Sequence, residues 1–125
     1  VRLTLNPLQD DLQQDYWRGI QVSERAKNIS IDHLVLDRTD AALVSNGTSF
    51  SISNSAIRGR GISLNNAPGH SYVLDSVIES GFIGLSVRGD SRITVRGNTF
   101  IDNNIGVHLA CNVLDAGTRT ECPQA

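Results

Sequence analysis

Three apolar series in this chain of 125 residues keep one step length, and that step constrains the fold more than any other feature. Ile31, Ile52, Val73 and Val95 are spaced by 21, 21 and 22 residues, and Leu36, Ile57, Ile78 and Phe100 each follow five residues later. The short runs Ile20-Gln21-Val22, Ala42-Leu43-Val44, Ile62-Ser63-Leu64, Leu85-Ser86-Val87 and Val107-His108-Leu109 begin at intervals of 22, 20, 23 and 22. A repeat this short cannot bury an apolar face alone. It must stack on its neighbours, which is the logic of a solenoid.

The local period selects the kind of solenoid. In "NISIDHLVL" and "SRITVRGNTF" apolar residues alternate with polar ones, the two-residue period of a strand, and no window shows the i, i+3, i+4 spacing of a helix. The dense leucines of a leucine-rich repeat are absent. Three short strands per turn, joined by corners rich in Gly, Asn, Asp and Ser, give an all-β, right-handed parallel β-helix of about five coils of 20–23 residues. Asn54-Ser55, Asp75-Ser76 and Gly97-Asn98 mark solvated corners, and Gly19, Gly61, Gly84 and Gly106, with Ala41 standing in once, precede the first strands. The expected inward set is Ile20, Val22, Ile31, Ile52, Ile62, Leu64, Val73, Leu85, Val87, Val95 and Val107. Gln21, Leu43, Ser63, Ser86 and His108 are then the outward residues of the first series.

This divides the chain into an N-terminal cap or partial coil at 1–16, a β-helix at 17–110 and a tail at 111–125. In the tail, Cys111 and Cys122 enclose a short polar loop and are expected to form a disulfide, since no histidine accompanies them as a zinc site would require. The sequons Asn28-Ile29-Ser30 and Asn46-Gly47-Thr48 make Asn28 and Asn46 possible glycosylation sites. Disulfide and sequons together imply an extracellular or secreted protein, periplasmic if bacterial. The start at Val1 and the absence of Met suggest a processed chain or a piece of a longer one.

A formal charge of −2 gives no basic excess for nucleic acid, and no apolar run approaches the roughly 20 residues that span a bilayer. The pattern "WRGIQV … GISL … GLSV … GNTFIDNNIGVHL" resembles the right-handed parallel β-helix repeats of the pectate-lyase-like superfamily, especially its NosD-like short-repeat members, over about Trp17 to Ala110. The resemblance implies fold more than function, because that superfamily includes polysaccharide lyases, hydrolases, epimerases, phage tailspikes and non-catalytic surface proteins. Galacturonase-like members carry Asn-Thr-Asp with paired aspartates, and methylesterase-like members Gln-Asp followed by Asp-Phe. Neither set occurs in this chain.

The remaining chemistry is sparse. His108 is the one outward residue of the first series that titrates near neutrality, and no acidic partner is expected beside it. Asp32-His33 has the composition of an acid-base couple, but successive strand residues point to opposite faces unless the chain bends there. Asp10-Asp11 reads as a solvated cap, and Asp37 with Asp40 offers too few oxygens for calcium. Tyr16 and Trp17 are expected to cover the open end of the core.

Ten of the eleven basic residues are arginine, and Arg58, Arg60 and Arg88 form the candidate binding face for an acidic glycan or an acidic protein surface, unless they pair with neighbours such as Glu79 and Asp90. The expectation is a non-catalytic structural or adhesion module without metal or cofactor, associating with itself or a neighbouring protein through its coil ends. The alternative is a domain that binds or processes acidic polysaccharide.

Overall fold

Parallel pairing at a nearly constant register turns the repeat into a three-sided coil. The computed structural model describes residues 2–3, 19–37, 42–79, 82–114 and 119–124. The chain enters along β1 (Arg2–Leu3) and makes a first turn from β2 (Gly19–Val22), β3 (Ile29–Asp32) and β4 (Val35–Asp37). The second turn is β5 (Ala42–Asn46), β6 (Phe50–Ser53) and β7 (Ala56–Arg58), and the third is β8 (Ile62–Asn65), β9 (His70–Leu74) and β10 (Val77–Glu79). The fourth is β11 (Ile83–Arg88), β12 (Arg92–Arg96) and β13 (Thr99–Ile101). β14 (Ile105–Ala110) begins another turn, which gives way to an antiparallel hairpin of β15 (Asn112–Leu114) and β16 (Arg119–Glu121).

The first strands of the turns stack as one parallel sheet, β2-β5-β8-β11-β14; the second strands form β3-β6-β9-β12, and the third strands β1-β4-β7-β10-β13. The protein is therefore an all-β parallel β-helix of about four turns, with no helix among the described residues. A fifth first strand exists, as the spacing implies, but among the described residues no further second strand follows it.

The core fills the space between the three sheets. Ile52 and Val73 from the second sheet meet Leu36, Ile57 and Ile78 from the third and Ile62, Leu64, Leu85 and Val87 from the first, all essentially inaccessible to water. Leu34, Phe50 and Ile93, outside the three series, complete it. Ile20, Val22, Ile31 and Val95 pack against this core and are only partly buried.

Two expectations fail in the first sheet. Leu43 is not outward: it pairs with Ile20 on one side and Ile62 on the other and is completely buried, while Val44 takes the outward place beside Gln21 and Ser63. The true steps along this series are 23 and 19 residues, and a one-residue shift exchanges the two faces of a strand. Ser45 consequently occupies an inward position, where its hydroxyl donates to the Thr48 carbonyl. Val107 keeps the inward register opposite Leu85 but remains 41% exposed, because no strand stacks on β14 among the described residues.

The corners are built from left-handed backbone. Between second and third strands, His33, Asn54, Asp75 and Gly97 all take positive φ. Between first and second strands, Gly47, Asn66 and Gly89 do the same. At Gly61, which precedes β8, a Cβ would run into the carbonyl oxygens of Ile83 and Gly84, so the close approach of adjacent turns excludes a side chain.

The second-to-third corner is not solvated on its inner side. Ser55 and Ser76 are buried, and each accepts a backbone N–H from the preceding turn: Leu34 N–H donates to Ser55 Oγ (3.0 Å), and Ser55 N–H to Ser76 Oγ (3.1 Å). Ser76 N–H donates to Asn98 Oδ1 (2.9 Å). The hydroxyls of Ser55 and Ser76 donate in turn to the carbonyls of Ser53 and Leu74, so the buried polar groups of this line are satisfied.

Cys111 and Cys122 form the expected disulfide, beside the hairpin pair Asn112 and Glu121. Beyond it Gln124 N–H donates to the Ser91 carbonyl, and the Gln124 carbonyl accepts from Ile93 N–H, both at 2.8 Å. The tail thus lies along part of the edge of β12.

Candidate functional site

The three arginines do not converge. Arg58 stands on the outer face of the third sheet between Asp37 and Glu79, at 3.7 and 3.3 Å, in a rank of opposite charges on successive turns. Arg60 lies in the corner before β8, and Arg88 at the far end of β11, about five residues along the strand direction or roughly 16 Å away.

Asp32 and His33 do come together, against the alternation rule. His33 takes a φ of 57°, which folds its ring back so that Nδ1–H donates to Asp32 Oδ2 at 2.7 Å. Asp32 Oδ1 accepts from Ser53 Oγ and Asn54 Nδ2 of the next turn, both at 3.0 Å. The hydrogen bond from Asn54, then those from His33 and Ser53, hold the Asp32 carboxyl below the usual carboxylate range, outweighing the slight effect of burial. The pair orients an imidazole, but it sits on an exposed corner with no enclosing cavity among the described residues. The Asp32 carboxylate ties two turns together through the two hydrogen bonds from Ser53 and Asn54.

His108 lies outward on β14 opposite Ser86; its Nδ1 is buried and makes no hydrogen bond. His70 belongs to a different face. It stacks on Tyr72 with ring centroids 4.7 Å apart and planes inclined by 21°, and its Nε2 lies 2.8 Å from Thr94 Oγ1. The outward positions of this second sheet run Ser30, Ser51, Tyr72 and Thr94 across the turns, and Asp32, Ser53, Leu74 and Arg96 beside them. Arg92 is opposite His70. None of these residues belongs to a sequence motif, although the alternation in "HSYVL" and "RITVR" already separates the outward ones from Ser71, Val73, Ile93 and Val95.

Metal donors are scattered. His33, His70 and His108 occupy a corner, the second sheet and the first sheet in different turns, and both cysteines are committed to the disulfide. Among the described residues no three His, Cys, Asp or Glu side chains cluster. Asn28 is exposed in left-handed backbone, whereas Asn46 accepts from Asn65 Nδ2 at 2.8 Å and the hydroxyl of its sequon Thr48 donates to the Ser23 carbonyl. Asp10, Asp11, Tyr16, Trp17, Asp40 and Ala41 lie outside the described residues.

No curated protein and no solved structure matches the chain. A family model does, over residues 6–114, and its description is periplasmic copper-binding protein (NosD). With the three-sided coil and the match over most of its length, the chain belongs to the NosD family of parallel β-helix repeat proteins.

Proposed function

We propose that this chain is a non-catalytic structural β-helix module of the periplasm or cell exterior, which assembles with a second copy through its C-terminal turn. The observation that carries this reading is the end of the first sheet. Ile105, Val107 and Leu109 are 42, 41 and 48% exposed on a strand whose outer edge has no partner among the described residues. An unpaired parallel edge with apolar side chains favours a further strand. Ile20 and Val22, in the same register at the opposite end of that sheet, supply the matching apolar pair in a head-to-tail contact. The disulfide and the periplasmic family description support an oxidising compartment.

Copper belongs to the description of the family, and the described residues of this chain do not fit it. Copper sites draw on thiolate, thioether and imidazole donors. The chain has no methionine, its two cysteines are oxidised and its three imidazoles stand apart, so no step through copper follows from this structure.

Light scattering over a range of protein concentrations tests the assembly. Mass rising with concentration, and falling back to monomer in Leu109→Asp, is expected; a monomer at every concentration overturns it. Incubation with uronate polymers tests the non-catalytic part, which depolymerisation abolished by Asp32→Asn or His108→Ala would overturn.

A further inference from the structure

We propose that the chain polymerises into an open filament, in which β1 of one copy becomes the missing third strand of its neighbour's fifth turn. The inference rests on the assembly reading above and specifies its contact and its symmetry.

The two ends of the coil are complementary in strand count. β1 is a third-sheet strand that precedes the first turn, with Arg2 and Leu3 paired to Val35 and Leu36 of β4. The C-terminal end has the converse gap. β14 provides the first strand of a fifth turn, and the second side resumes at Gln124, which pairs in parallel with Arg92 of β12. By register Cys111 follows Ala110 as Gly89 follows Arg88, and Cys122 precedes Gln124 as Asp90 precedes Arg92. β15 and β16 are therefore a hairpin inserted at that corner, closed at its base by the disulfide. The third side stays empty, since no strand lies on the outer edge of β13 among the described residues.

A second copy in line with the first fills this gap. β1 laid on β13 puts Leu3 in the register row of Leu36, Ile57, Ile78 and Phe100, and Arg2 in the row of Val35, Ala56, Val77 and Thr99. The same step lays β2 on β14, with Ile20 opposite Val107 and Val22 opposite Leu109, and sets β3 over the tail. All three sheets then continue without a break. Phe100, only partly buried at the end of its row, gains a neighbour together with Val107 and Leu109. Main-chain bonding of a donated strand to an open edge supplies the affinity.

A glycine carries the argument furthest. At Gly61 and Gly84 a Cβ would overlap the carbonyl oxygens of Gly84 and Gly106, each in the following turn. Gly106 ends this row, and a Cβ there would meet nothing nearer than Phe100 at 3.7 Å, an ordinary contact. Its φ is not in the left-handed region either. Neither backbone nor packing within one chain calls for glycine at this position. A further turn does: with β2 on β14, the Gly19 carbonyl stands over Gly106 as that of Gly106 stands over Gly84. Because the contact joins unlike ends, every added copy leaves one end of each kind free, and growth does not close.

Cysteines at Arg2→Cys and Thr99→Cys in one chain test the register. Within a copy these positions are four turns apart, about 19 Å, too far for a disulfide, whereas in stacked copies they are neighbours on adjacent strands. Mild oxidation should give a ladder of covalent multimers linked between positions 2 and 99, and a mixture of the two single variants should stop at dimers. Gly106→Ala should leave the circular dichroism and melting of the dilute monomer unchanged and weaken association in light scattering by about 10-fold or more. A monomer at every concentration overturns the assembly reading and this one together. Assembly that stops at two copies, gives no such ladder or is indifferent to Gly106→Ala overturns the filament alone.

Discussion

The third and fourth turns place Ile62, Leu64, Leu85 and Val87 where the last strand places Val107 and Leu109, in the same register and on the same side of the same sheet. The first four are dry, and the last two are nearly half exposed. Residue type does not explain the difference, since both groups are aliphatic and β-compatible. Burial in this molecule is supplied by the next turn rather than by the strand itself, so a side chain gains its full stabilisation only when it has a neighbour above and below.

The comparison can be broken most directly by truncating matched side chains. Leu85→Ala should destabilise the fold by about 2–5 kcal/mol, and Leu109→Ala by less than about 1 kcal/mol, read as shifts in the urea midpoint at unchanged slope. Equal losses would mean that the last turn is covered in solution. A concentration-dependent loss in Leu109→Ala alone would sharpen the contrast, locating the missing neighbour in a second molecule.

A smaller effect is expected from the serine line. Ser76→Ala leaves the buried Ser55 N–H without its acceptor, at a cost of about 1–3 kcal/mol, and hydrogen exchange should quicken at Ser55 before it does in the outer turns. Unchanged protection there would show that water replaces the hydroxyl.

The smallest effect is a pH dependence at the Asp32 corner. Its carboxyl titrates below its ordinary range in the folded chain, so its contribution is complete above the unfolded value and is lost as pH falls through the lowered folded one. Melting temperatures followed into the acid range should show a decline that Asp32→Asn lacks. An identical profile in the variant would mean that the three hydrogen bonds carry no pH-dependent stability.

Much of this was legible in the repeat. The series from Ile31 to Val95 and from Leu36 to Phe100 gives the inward line of two sheets, because Ile31, Ile52 and Val95 each stand between two polar residues and the third-sheet residue follows five positions later in every turn. The first sheet was harder. "DAALVSN" offers both Ala42 and Leu43 as the equivalent of Ile20, and even spacing favours the wrong one; only pairing with Gly19 and Ile62 decides it. Asp32-His33 defeated the alternation rule because a histidine adopts left-handed backbone at a position that asparagine, aspartate and glycine fill in later turns. The second-sheet face escaped notice for another reason. Tyr72, Arg92 and Arg96 come from two turns, and only the register of β9 against β12 shows that they share one surface.

The serine line also gives the coil an arrow. Each bond runs from the N–H of one turn to the side chain of the following turn, from Leu34 to Ser55, Ser55 to Ser76 and Ser76 to Asn98. A turn made early therefore waits for chemistry that a later stretch of chain delivers. A polypeptide threaded out of a pore amino end first would meet these needs in order, each new arrival closing the account of the one before.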